Sequence, residues 1–173
     1  MTLHDALVPP LVRNLRNLRH LLHRAESHAE ACNYPVSVLL GSRLYPDMFD
    51  VSRQVQVATD ISRRGVARLA KLEAPAFQDH ETGLSELIER IETSIRFMES
   101  IPKQAFQGAE SRDILLPIPA SMGGGEQLFR GDEFLRAFVL PNVYFHVSTA
   151  FAILRHNGVP IGKFDYLLGE NAP

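Results

Sequence analysis

The sequence predicts an all-α up-and-down four-helix bundle with a β-hairpin between its third and fourth helices. Three observations lead there. Apolar residues recur at three- and four-residue steps in four long stretches, the pattern of helices that bury one face. Asn33-Tyr-Pro35, the Pro75 region and Pro102 punctuate those stretches. Between Phe106 and Gly131 the helical period is lost, and two short apolar runs flank a glycine-rich turn.

In the first helix Thr2 is the expected cap, and Leu7, Leu11, Leu18, Leu22, Ala25 and Ala29 form one stripe running to about Cys32. Pro9 and Pro10 fall in its early turns, where a bend or a late start is expected. His4, His20, His23 and His28 read as solvated positions beside arginines and glutamates. Val36 to Gly41 predicts one short helical turn. The second long helix is expected from about Met48 to Leu72, opened by Pro46 and Asp47, with Val51, Val55, Ala58, Ile61 and Leu69 inward. Gln54 shares that inward arc, and Gly65 allows close approach of a neighbouring helix.

After a linker from Glu73 to Glu81, Thr82 is the expected cap of the third helix. Its inward stripe is Leu84, Leu87, Ile88, Ile91, Ile95 and Met98. Glu86, Glu89 and Glu92 with Arg90 and Arg96 read as ion pairs on its outer face. Ile114 to Ile118 and Gln127 to Phe129 predict the hairpin strands around a Met122-Gly-Gly-Gly125 turn. The triple glycine lacks the Lys-Ser/Thr of a phosphate loop. Asp132 is the expected cap of the last helix, which Gly158 and Pro160 end, and Phe164, Tyr166 and Leu167 are expected to fold back and be buried.

From Phe134 to Leu154 the last helix is apolar almost all round, which predicts that other elements cover it on most sides. Its exceptions define the candidate site. At ~100° per residue Asn142, His146 and Thr149 fall on one arc, and Pro141 interrupts the helical hydrogen bonds just before them. Buried unpaired, such polar groups cost ~1–3 kcal/mol each. They must meet each other, water, an ion or a ligand. Gln54 is expected opposite them, with Tyr45 or Asp47 near the mouth of a cavity.

Composition narrows the function classes. A chain of 173 residues reads as a single domain over 1–173 that buries ~70% of its unfolded surface. A net charge of −2 with scattered basic residues argues against nucleic acid. Cys32 has no partner for an internal disulfide and reads as a structural thiol in a reducing compartment. No basic and apolar leader opens the chain, and no stretch of ~20 uncharged apolar residues stands out, so a cytoplasmic protein without membrane contact is expected.

The run His146-Val-Ser-Thr-Ala-Phe-Ala-Ile-Leu-Arg155, closed by Gly158-Val-Pro, resembles the last-helix signature of the DinB-like four-helix-bundle metalloenzyme superfamily. Arg43-Leu-Tyr-Pro-Asp-Met48, Arg53-Gln-Val-Gln56, Phe106-Gln-Gly-Ala-Glu110 and Leu140-Pro-Asn-Val-Tyr-Phe-His146 extend the likeness over nearly the whole chain, to an uncharacterised branch of that superfamily. The resemblance implies a bundle in which two histidines of the last helix and one of the second hold a divalent metal, in several members for thiol transfer. It also implies a homodimer, for which Val8 and Val12, off the main stripe of the first helix, are the expected surface. Counting back from Arg155 puts His146 at the second histidine of the motif and Asn142 at the first. Gln54 is the nearest polar candidate for the third.

Neutral carbonyl oxygens replace imidazole poorly at a zinc or nickel site. His146 therefore stands as the one candidate ligand of a divalent metal. The first functional reading is a small-ligand-binding or stress-associated interaction module with a degenerate metal site. The alternative is a metal-dependent transferase using a low-molecular-weight thiol.

Overall fold

The computed structural model describes residues 2–120 and 123–172. Helix α1 (Leu3–Ala31) starts at Thr2, whose hydroxyl accepts a hydrogen bond from the Asp5 amide at 3.2 Å. It runs unbroken through Pro9 and Pro10. The late start expected from the two prolines does not occur, because the lost donors fall in the early turns, where they cost least. After the single turn α2 (Ser37–Leu40), helix α3 (Val51–Ala70) begins at Asp50 rather than at Pro46 or Asp47. The Asp50 carboxylate caps the Arg53 amide at 2.9 Å.

Helix α4 (Leu84–Ser100) is capped at Gly83, not Thr82. The Glu86 carboxylate reaches back to the amides of both Thr82 and Gly83, so the acidic side chain rather than the threonine hydroxyl closes this terminus. Strands β1 (Asp113–Pro117) and β2 (Glu126–Arg130) pair antiparallel, with Ile114 opposite Phe129, both buried. Gly123, Gly124 and Gly125 all have positive φ, which accounts for the triple glycine as turn chemistry. Met122, the first residue expected in that turn, lies outside the described residues.

Helix α5 (Gly131–His156) follows β2 at once, with Arg130 at the cap position. Asp132 is inside the first turn and pairs with Arg136 at 2.7 Å. From Phe134 to Val139 the helix is π-helical, and the Leu140 amide bonds the Leu135 carbonyl five residues back. The widened turn lies directly upstream of Pro141, which has no amide to continue the ladder. Helix α5 packs chiefly on α3 and α1, and α3 also packs on α4. A Cβ on Gly65 would stand 2.9 Å from Val139, so the glycine sets the close approach of α3 to the π-turn.

Two expectations about α5 are corrected. Ala137, Pro141, Tyr144, Phe145 and Ser148 are exposed, so the helix is covered on fewer sides than its composition implied. Over Gly131–His156 it is also long and apolar enough to cross a membrane, with a mean hydropathy of 1.5 in its most apolar window. Its inward side packs against α1 and α3.

The tail differs as well. It forms α6 (Lys163–Leu168), with Phe164 and Leu167 exposed and only Tyr166 packed against the core. Polar contacts with α1 hold it: His20 with Asp165 at 2.9 Å, and Asn17, which donates to the Tyr166 carbonyl at 2.8 Å. His20 is thus a partly buried partner of Asp165 and not a solvated position. Val8 and Val12 are buried in the chain's own core, which withdraws them as a surface for a second copy.

Candidate functional site

The site is assembled where the first turns of α3 meet the middle of α5. Downstream of Pro141 the last helix is regular, so the 100° spacing holds and His146 points at α3. There Gln54, 2% exposed, lies beside His146, 8% exposed, with the Nδ1 of His146 2.6 Å from the Oε1 of Gln54. The Gln54 amide nitrogen donates to the Phe49 carbonyl at 3.2 Å. Oε1 is therefore the acceptor, Nδ1 is the donor, and the lone pair of the imidazole is on Nε2. Burial, and after it the positive charge of Arg53, push the His146 pKa below the ordinary histidine value. The Phe145 ring stands edge-on to the imidazole at 5.2 Å.

The other expected members do not join this pair. Asn142 donates to the Phe138 carbonyl at 2.7 Å and Thr149 to the Phe145 carbonyl at 2.7 Å, each one turn back on its own helix. Tyr45 is 65% exposed and Asp47 is exposed too, both in the loop before α3. A depression of about 420 Å³ near that loop is lined by Arg43, Asp47, Phe49, Asp50 and Arg53. It and four further depressions among the described residues are lined by side chains other than His146, Gln54 and Asn142.

The donor set does not suit the divalent metal that the resemblance implies. One imidazole and two primary amides stand at the motif positions of three histidines; an amide offers only a neutral carbonyl oxygen, and that of Gln54 already accepts from the His146 Nδ1. Among the described residues no three His, Cys, Asp or Glu side chains converge as ligands. Cys32, expected to be structural, is exposed with its sulfur 3.8 Å from the His28 Nε2.

A second polar assembly has no counterpart in the sequence pattern. Arg90, expected on the outer face of α4, is 3% exposed, and Arg63 of α3 is fully buried. Both guanidinium groups lie over the ring of Phe77 in the α3–α4 connection. Arg90 donates to Asp60 at 2.6 Å, to Glu81 at 2.7 Å and to Thr59 at 2.8 Å. Local spacing on α4 could not reveal this, because the partners come from α3 and the connection.

The family model for "Domain of unknown function (DUF1993)" matches residues 3–167. The chain belongs to the DUF1993 family. This DUF1993 chain is also similar to a DinB family member protein from Shewanella denitrificans of known crystal structure, with 40% identity and a TM-score of 0.86. The match covers 95% of this chain and 91% of that one. The fold is accordingly a DinB-like helical bundle with a small β insertion. No curated protein matches the chain.

Proposed function

We propose that this protein is a small-ligand-binding member of the DinB-like fold in which hydrogen bonding at His146 stands where relatives of the superfamily place metal chemistry. The observation that carries the reading is the direction of the His146–Gln54 bond. It leaves a neutral imidazole with one tautomer and with Nε2 free of protein partners among the described residues. Such a nitrogen accepts a hydrogen bond from the hydroxyl, amide or ammonium group of a small ligand. Function by occupancy, as in a stress-associated module, requires no turnover. The competing reading is metal-dependent transfer involving a low-molecular-weight thiol, and neutral amides in place of two imidazoles, with the Gln54 oxygen already bonded to His146, speak against it.

The test has two parts. Protein grown with zinc, nickel and manganese supplements and purified without chelator is assayed for bound metal. Metal-free protein is then titrated with small hydroxyl, amide and ammonium compounds while the His146 ring resonances are followed. Ring shifts that saturate without metal support the proposal. Stoichiometric metal that disappears in His146→Ala overturns it in favour of the transferase.

A further inference from the structure

A different groove, on the other flank of α3, has the chemistry of an anion site. It lies between α3, the π-turn of α5 and strand β1, has a volume of about 240 Å³, and is walled by Ile61, Leu116, Pro117, Phe134 and Phe138, with the Asp60 carboxylate at its α3 side. Phe134 and Phe138 stack at 5.4 Å with their planes 10° apart, so the aromatic wall is ordered. Two guanidinium groups, those of Arg64 and Arg68, line this groove and also the depression beside it.

The cations at this end of α3 outnumber the carboxylates that reach them. Asp60 pairs with Arg63 at 2.7 Å and with Arg64 at 3.1 Å, and it shares Arg90, at 2.6 Å, with Asp79 and Glu81. Arg63 and Arg64 therefore share a single counter-charge among the described residues. Arg68, one turn beyond Arg64, has no ion pair or side-chain hydrogen bond among the described residues although it is half-buried. Burial, followed by the repulsion of Arg64, lowers its pKa. Glu73 is the carboxylate across the neighbouring depression, and it too makes no ion pair among the described residues. A partly desolvated guanidinium left without a counter-ion, next to a second one, favours an incoming anion. The apolar wall favours an anion with an apolar body, and the volume limits it to a small one.

We propose that this groove binds a small amphiphilic carboxylate, its chain or ring against Phe138, Leu116 and Ile61 and its carboxylate on Arg68 and Arg64. The site is separate from His146, and the proposal does not depend on the reading given for that residue. Arg68 offers the charge-assisted bonds that set orientation, and Phe138, backed by the buried Phe134, supplies the apolar contact.

Titration calorimetry with octanoate, 1-octanol and acetate tests it. Octanoate is expected to bind, with octanol lacking the charge and acetate lacking the body each at least about tenfold weaker. Arg68→Gln should weaken octanoate by about tenfold to a hundredfold, and Arg64→Gln by a smaller factor, both with unchanged circular dichroism. His146→Ala should leave octanoate affinity as it is. Equal binding of octanol and octanoate, unaltered affinity in Arg68→Gln, or no octanoate binding at millimolar concentration would each overturn the proposal.

Discussion

The guanidinium of Arg90 sits 4.7 Å from the centroid of the Phe77 ring, and through that contact a helix core and an irregular connection are joined. Arg63 lies over the same ring at 4.1 Å. Cation–π contacts contribute from ~0.5–1 kcal/mol at exposed sites to ~2 kcal/mol when desolvated. Phe77→Ala should therefore lower stability by about 1–3 kcal/mol in urea denaturation. Arg90→Met should cost more, about 3–5 kcal/mol, because it strands the carboxylates of Asp60 and Glu81. A midpoint unchanged in both variants would show that the connection is not held this way.

The same network sets an acid limit. Burial alone would raise the Glu81 carboxyl, but the hydrogen bond from Arg90 and those from the backbone and Gln56 outweigh it and hold the group below its ordinary value. A carboxylate depressed in the folded state contributes stability that is complete above its unfolded pKa, near 4.5, and is lost as pH falls through the folded value. Denaturation midpoints should drop between pH ~5 and pH ~3, and Glu81→Gln should flatten that part of the profile.

How much of this was legible beforehand depended on where the partners lie. The four long helices follow from apolar spacing, and the phase of His146 against Gln54 follows from a regular turn count after Pro141. Arg63 and Arg90 could not be read, because an arginine within a charged helical pattern has the signature of an outer face. The partners of Arg90, among them Asp60, Phe77, Asp79 and Glu81, come from α3 and the connection, while Arg63 rests on Asp60 one turn back and on Phe77. Tyr45 lies in a loop with no period to fix its direction. The exposed side of α5 was hidden for the opposite reason: Tyr144 and Phe145 look like core residues.

Gly131 gives a prediction about the junction of hairpin and helix. A Cβ there would run into the carbonyl oxygen of Ala109 and stand 3.1 Å from Leu69, and a backbone atom cannot turn aside as a side chain can. Gly131→Ala should cost at least about 1–3 kcal/mol, read as a lower thermal midpoint, despite the gain in helix propensity. An unchanged midpoint would mean that the junction can open without loss.

A homodimer, if formed, needs a face other than Val8 and Val12. Tyr144 and Phe145 on α5 are candidates, Phe145 being 58% exposed. Pairing through them predicts a dimer by light scattering at high micromolar concentration and a monomer for Phe145→Glu, since a buried unpaired carboxylate opposes association. A monomeric unmodified protein under those conditions rules the pairing out.

The last prediction concerns His146. Its pKa is lowered in the folded chain, so the unfolded chain takes up the proton first as pH falls. The stability tied to the neutral imidazole is complete above about pH 6.5 and declines as pH drops from there through the lower folded value. His146→Ala should remove this slope while costing about 1–3 kcal/mol at neutral pH, because the Gln54 Oε1 loses its donor in a buried setting. A partner change separates the hydrogen bond from simple packing. Gln54→Glu puts a carboxylate against Nδ1, which should raise the histidine pKa and turn the slope around, so that stability falls as pH rises through the new folded value. Nuclear magnetic resonance titration of the His146 ring measures both pKa values directly. An ordinary histidine pKa in the unmodified protein, unaltered by Gln54→Glu, would mean that the 2.6 Å contact does not set the tautomer on which the ligand-binding reading depends.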